Sequence, residues 1–389
     1  NLGWPAEPTF YVPEEVKALY AARRAALQKE YDTWQQRFAA WKEANPALAH
    51  AYEQAQAYAV PDDLEEQLSA ALPTKTNATR RLAGMVMQRA AELVPYLVGG
   101  SADLSPSTNT VIDASPYIAR GDFGGQNVHF GVREHAMGSV MNGIALYGGY
   151  RPYGSTFLVF ADYMRPPIRL ASIMKLPVIY VFTHDSIFVG EDGPTHEPVE
   201  QMASLRLIPG MTVIRPADRP EVAAAWAYTL RYTKGPVALI LTRQTVPDVA
   251  RQEPLSADAF GHGAYTVAET AGREPEVVLV GTGSELCLAV AAYKALEAEG
   301  IAARVVSMPS RELFLQQDAA YRQALIPDNA KKVVIEAGTR FGWGDIVGSN
   351  ALFITQDTYG CSAPYEVLAQ KLGFNETDVA ARVLGFVRG

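Results

Sequence analysis

The sequence predicts an α/β protein: two parallel-sheet α/β domains preceded by a helical connector. Three observations predict it. Short apolar, β-branched runs such as LPVIYVF (176–182), VALILTR (237–243) and KVVIEAG (332–338) recur between helix-patterned segments, as strands buried on both faces do. The alternation stops in a polar, glycine-containing stretch after Arg251 and then resumes, which divides it into two sets. The first seventy residues show only helical periodicity.

Taken in order, Val16, Leu19, Tyr20, Leu27, Tyr31, Trp34, Phe38 and Trp41 recur at threes and fours between Glu14 and Asn45, which describes a long amphipathic helix whose aromatics pack in a core or an interface. Pro46 stops it. Pro61, Asp62 and Glu65 form a capping-box-like start for another helix, so residues 1–72 read as a helical connector. Residues 73–250 follow as the first α/β domain. Asn77 is placed to cap a helix running to Leu93, a strand at Tyr96–Val98 leads into GGSADLSPS, and helices are expected near 134–146, from Ala161 and over 218–233. Strands are expected to end near Ser155 and to lie at 176–182, in TVIRPA (212–217) and in VALILTR. Residues 251–389 form the smaller second domain, built on VVLVGTGSE (277–285), ARVVSMPS and KVVIEAG.

The chain has 389 residues, which favours more than one domain, and 48% hydrophobic residues, enough to fold throughout. A net charge of −8 argues against nucleic acid or a membrane surface as partner. No run approaches a spanning helix. Two distant cysteines, Cys287 and Cys361, without metal-ligand spacing, suit a reducing cytoplasm. The chain begins with Asn instead of Met, as the remainder of a longer protein would.

Two phrases concentrate chemistry. THDSIFVGEDGPTHE (183–197) follows directly on the LPVIYVF strand, and in open α/β sheets ligands bind at the strands' carboxyl ends. A solvated loop is the plain alternative. His184, Asp192 and His196 could also be metal ligands, but their spacing matches no common arrangement. In HFGVREHAMG (129–138), Glu134 stands where an apolar helix begins, which ordinary dipole compensation would also explain. Phe157, Phe160 and Tyr163, spaced by three, suit core packing or a ligand platform. VGTGSE lacks the third glycine of a dinucleotide fingerprint, since position 286 is Leu, so a plain strand-to-helix turn is preferred.

Together GVREHAMG, RPYGSTF, THDSI with GEDGPTH, RPAD and LTRQ carry a resemblance: the chain resembles the transketolases, thiamine-diphosphate enzymes of the pentose phosphate pathway, from NLGWP to its carboxyl end. The resemblance covers the back portion of the family's chain. It implies a pyrimidine-binding domain and a transketolase carboxyl-terminal domain, with the front domain that holds Mg²⁺ and the diphosphate missing, since no GDG triplet occurs. It therefore implies a fragment inactive alone, with that front domain, sugar phosphates and a second copy of the chain in a homodimer as partners.

Site residues follow from the same resemblance. A carboxyl against the aminopyrimidine can share a proton with the ring, which assigns Glu134. Phe157, Phe160 and Tyr163 would surround the pyrimidine. Arg80, Ser101, His184 and Arg243 map to the phosphate end, where guanidinium forks suit phosphate. Arg81, Asp103 and Arg133 have the weaker claim. Asp192 would bond a substrate hydroxyl, and His196 would move protons near the reacting carbons. GEDGPTH with LTRQ favours sugar phosphates over the other thiamine enzymes that share these domains, the β subunits of 2-oxo-acid dehydrogenases and deoxyxylulose-phosphate synthase. A non-catalytic assembly module would have no need of Glu134, His184, Asp192, His196 and Arg243 together. Two features depart from the family's pattern: Phe188, where small residues are usual, and the Pro166–Pro167 pair inside a helix.

Overall fold

Strands form where β-branched and aromatic residues can be covered from both sides, and the computed structural model, which describes residues 3–389, places eleven of them in two sheets. Residues up to Ala57 make one unit and Tyr58–Gly389 another. In the first unit Glu14–Ala44 and Pro46–Gln56 are helices. Pro46 does end the long helix, but as the first residue of the next one, where its missing N–H has no partner to lose. The long helix buries no residue, so the packed face expected of it is absent within the unit; instead Tyr31, Trp34, Phe38 and Trp41 stack on one another along its surface at 5.2–6.0 Å.

In the second unit, the helix Leu64–Ala70 starts later than the capping-box reading had it, after an Asp63 whose side chain makes no cap. Its Leu64 and Leu68 are fully buried and Arg231 pairs with Glu65, so residues 58–72 belong to the α/β body and the connector expected over 1–72 is divided. The Thr79–Leu93 helix is preceded by Ala78, not capped by Asn77, whose side chain bonds only the adjacent Ala78 amide.

The first sheet contains β1 (Leu97–Ser101), β2 (Asn127–His129), β3 (Arg151–Phe157), β4 (Ile179–Thr183), β5 (Thr212–Ile214) and β6 (Val237–Leu241). All are parallel, in the order β2-β1-β3-β4-β6-β5. The chain steps outward from β1 to β2, then returns to β3 on the other side of β1. This reversal opens a crevice at the carboxyl ends of β1 and β3. The second sheet contains β7 (Tyr265–Glu269), β8 (Val277–Gly281), β9 (Ala303–Ser307), β10 (Lys331–Glu336) and β11 (Leu352–Thr355), in the order β11-β10-β8-β9-β7. β7 is antiparallel, and with the helix Ala257–Gly261 it replaces much of the expected linker after Arg251.

Both departures from the family's pattern find their place. Phe188 is buried in the second domain's core, edge-on to Phe374 at 6.1 Å. The Ala161–Ile173 helix continues unbroken past Pro166 and Pro167. The two prolines remove helix partners from the carbonyls of Asp162 and Tyr163, residues exposed enough for water to replace them, and Pro167 accepts a bond from Asn142 Nδ2 at 2.9 Å.

The two α/β domains are joined through charge. Arg215, fully buried just beyond β5, donates from Nε and Nη2 to Asp185 at 2.9 and 2.7 Å, and from Nη1 to the Thr282 carbonyl at 2.9 Å and to Glu285. Gly283, at φ +57°, leaves the space that Arg215 fills: a Cβ there would lie 2.6 Å from Nε. VGTGSE is thus a turn shaped around a guanidinium. Arg251 makes a second link, to Asp218 at 2.7 Å and Glu221 at 3.4 Å, and Glu221 accepts from Tyr265 and Ser307 of the other sheet. Arg215→Ala would strand two buried carboxylates and is expected to destabilise the fold by about 3–5 kcal/mol. Chemical denaturation checks this, and a loss under 1 kcal/mol on that scale would show that water replaces the guanidinium.

Candidate active site

The crevice at the carboxyl ends of β1 and β3 is a cleft of about 400 Å³ lined by Ala102, Asp103, Leu104, Val132, Glu134, Phe160 and Tyr163. Each comes from a loop or helix start that follows a strand. The β1 end supplies Ala102–Leu104, the β2 end supplies Val132 and Glu134, and the β3 end supplies Phe160 and Tyr163. Glu134 is the first residue of the Glu134–Tyr147 helix; it is 8% exposed, and its one partner among the described residues is the Thr156 hydroxyl, which donates to Oε1 at a long 3.4 Å. The cleft is therefore a largely apolar slot with one buried, under-bonded carboxyl in its wall; the other carboxyl that lines it, Asp103, is exposed.

A row of rings leads away from it. Phe160 meets Tyr163 at 6.1 Å, Phe157 at 6.0 Å and His196 at 5.7 Å, and Phe157 stacks on His184 at 3.7 Å. Phe157 backs the cleft instead of lining it. His184 follows β4 in a left-handed conformation, φ +62°, which a non-glycine residue adopts only under constraint. The constraint is visible: Thr183 Oγ1 bonds Nδ1 at 2.8 Å, Phe157 covers one face, and the next residue, Asp185, is fixed to Arg215.

At His184 the site turns cationic. Its Nε2 lies 3.5 Å from Arg80 Nη1, and Arg243, just past β6, adds its charge. Burial, together with the charges of Arg80, Arg243 and His196, depresses the imidazole to about 3, so it is neutral at physiological pH. Arg80, itself lowered to about 10 by burial and by Arg81 and Arg243, is held by the Ser107 carbonyl. Arg243 reaches Glu191 only at 3.7 Å. Guanidinium groups this close together and this sparsely paired suit an anion.

The remaining predicted residues are less uniform. Asp192 is exposed and His196 half-buried, its Nδ1 2.8 Å from Thr195 Oγ1. Ser101 is 3% exposed, and its hydroxyl already donates to the Ser155 carbonyl and accepts from the Leu104 amide. The residue overlooked in the sequence is Ser107, half-buried beside Arg80. Only its place in the same GGSADLSPS phrase hinted at it. Asp103 lines the cleft at φ +65°, and Arg133 Nη1 donates to the Phe130 carbonyl at 2.9 Å. His184, Asp192 and His196 do not gather as ligands: among the described residues no three His, Cys, Asp or Glu side chains could hold a metal ion.

Comparison with known proteins gives the family. Residues 75–249 match the transketolase pyrimidine binding domain, residues 263–375 the transketolase-like TK C-terminal domain, and residues 1–61 the transketolase thiamine diphosphate binding domain. The chain is 46% identical over 384 residues to the transketolase of Halalkalibacterium halodurans, and 43% over 386 residues to that of Bacillus subtilis. The chain belongs to the transketolase family. These alignments take in 97% and 99% of this chain but 57% and 58% of the relatives, so it spans a little over half their length. The transketolase of Leishmania mexicana superposes with a TM-score of 0.90 at 36% identity, over 98% of this chain and 56% of that one. A split gene transketolase, described as an inactive β4 tetramer, superposes at 0.63 with 27% identity, over 80% of this chain and 98% of that one. The match over residues 1–61 corrects one expectation: the thiamine diphosphate binding domain is not wholly missing, because the first helices carry part of its sequence. Among the described residues no helix is long and apolar enough to cross a membrane.

In this transketolase-family chain the neutrality of His184 is directly testable. Its ring resonances, identified by loss in His184→Gln, are expected to stay constant between about pH 5 and 8, where an ordinary histidine titrates. A midpoint near the ordinary value of 6.5 would show that the ring is open to water or paired with an anion.

Proposed function

We propose that this chain carries the pyrimidine and sugar-phosphate parts of a transketolase site, moving a two-carbon ketol unit from a ketose phosphate to an aldose phosphate with thiamine diphosphate. One observation carries the reading: an apolar slot with a single buried carboxyl continues, through stacked rings, into a cluster of two arginines and a neutral histidine. The slot fits a flat heteroaromatic ring. Phe160 and Tyr163 would give that ring apolar faces, and Glu134, with only a long bond to Thr156 among the described residues, is free to hold a proton at a ring nitrogen. When bound, the cofactor supplies an electron sink for breaking a bond beside a carbonyl.

The chain's own residues would do the rest. Arg80 and Arg243 bind the phosphate, and Ser107, whose carbonyl holds Arg80, is favoured over Ser101, whose hydroxyl is already engaged. His184 acts as a neutral hydrogen-bond partner, since at a depressed pKa it cannot add to the positive charge. Asp192 takes a substrate hydroxyl, and His196, on the edge of Phe160, moves a proton at the reacting carbons. Magnesium as counter-ion to the diphosphate, a homodimer and a cytoplasmic setting belong to the same reading. The split gene relative, inactive as a β4 tetramer, makes assembly state a variable to be measured alongside activity.

With cofactor, magnesium and both sugar phosphates supplied, Glu134→Gln is expected to lower turnover by about 10² to 10⁴ while leaving the melting temperature unchanged, the usual size of a lost proton relay. Retention of more than half the activity would sink the assignment. Calorimetry gives a readout that needs no turnover: Phe160→Ala should weaken thiamine diphosphate binding, and unchanged affinity would remove Phe160 from the pocket. Arg243→Ala should raise KM for phosphorylated sugars by roughly 10- to 100-fold, the worth of one charge-assisted bond, and leave unphosphorylated analogues nearly unaffected. Equal effects on both would make Arg243 a structural partner of Glu191.

A further inference from the structure

One buried group in the site loop has no partner. Glu197 is 2% exposed, and among the described residues neither carboxyl oxygen meets a hydrogen-bond donor. The segment after β11 presses on it: a Cβ on Gly360 would lie 2.1 Å from Glu197 Oε2 and 3.3 Å from Ile187 Cγ2. The same segment grips the loop elsewhere. The Ser362 hydroxyl donates to the Glu191 carbonyl at 2.6 Å, Ser362 Cβ would be 3.2 Å from a Cβ on Gly193, and the Ala363 carbonyl would be equally close to one on Gly190. The loop bearing Asp192 and His196 thus lies beneath a strap of the second domain, with the Glu197 carboxyl in the seam.

An ionised carboxylate in such a seam, with no donor and no cation, is strongly disfavoured, whereas the neutral acid can remain. We propose that Glu197 is a positioning residue: its neutral form fastens the Asp192–His196 loop beneath the Thr358–Ala363 strap, and its ionisation releases that loop. Burial pushes the carboxyl up to about 7, and it is the sole cause. Glu191, Asp192 and His196 on its own loop, Asp357 just before the strap, and Tyr359 and Cys361 on it add no charge effect, and Ile187 is apolar. Because the folded pKa lies above the ordinary 4.5, the fastening is complete below the ordinary glutamate range and is lost as pH rises through about 7. What release does to the reaction rests on the reading of Asp192 and His196 given above. The fastening itself does not.

Hydrogen exchange on the free chain, expressed as protection factors so that intrinsic pH effects cancel, tests it without substrate. From about pH 5.5 to 8.5, protection across residues 187–197 and 356–363 should fall by roughly tenfold or more in the wild type, while β4 amides stay unchanged. Glu197→Gln, a neutral side chain of the same shape, should keep its protection across that range. Gly360→Ala should lower protection at every pH, because its new methyl displaces the carboxyl. A flat wild-type profile, or a glutamine variant that follows the wild type, overturns the proposal. Since no turnover is read, either result stands apart from the ketol-transfer assay.

Discussion

The arrangement of the site depends on one buried cation. Arg215 leaves β5 at the point where the two sheets meet and bonds Asp185 on one side and Glu285 with the Thr282 carbonyl on the other. Burial opposes its charge, but Glu285 and Asp185 hold the guanidinium above its ordinary pKa, so the cation persists at any working pH. Taking such a group out of water is expensive, and the expense is offset only when the fork is filled on every side. The second domain must therefore dock in one register. Asp185 is the residue after His184, so the same bonds that dock the domain also fix the strained backbone from which the imidazole projects.

From that fixed point the site separates into two regions of different dielectric character. Toward β1 and β3 lie largely apolar walls and a single buried carboxyl; toward β4 and β6 lie Arg80, Arg243 and an imidazole that burial and the neighbouring cations keep from protonating. The row His184, Phe157, Phe160 connects the two without a polar gap. A flat aromatic ring at one end and an anion at the other fit such a division better than a ligand of uniform polarity. The second domain takes part chiefly by covering the loop that joins the regions, through Phe188 in its core and the strap over Glu197.

Much of the fold was legible because buried parallel strands have a strong signature. VALILTR, VVLVG and KVVIE became β6, β8 and β10 close to their expected bounds. Short or exposed pieces were not legible: β2 is three residues after a glycine-rich stretch, and β7 is an edge strand in a polar segment. Local rules failed at the caps of 64–70 and 79–93, because side chains near a helix start can choose among several partners and tertiary contacts decide which. The long aromatic helix had the right period but no buried face, since periodicity records which residues could be covered and not what covers them.

The sequence by itself determined the family, the two α/β domains and which residue types stand at the strand ends, because motifs and strand patterns are local and survive without a partner. It placed Glu134, His184 and Arg243 as candidates. Only the tertiary structure decided their chemistry. The crossing from β2 back to β3 made the cleft, burial and the convergence of Arg80 and Arg243 made His184 neutral, and the closure of one domain's strap on the other's loop buried Glu197. Desolvation and charge coupling act through space over a few ångströms, and residues separated by a hundred positions or more along the chain, as Arg80 is from His184, become neighbours only when both domains are folded.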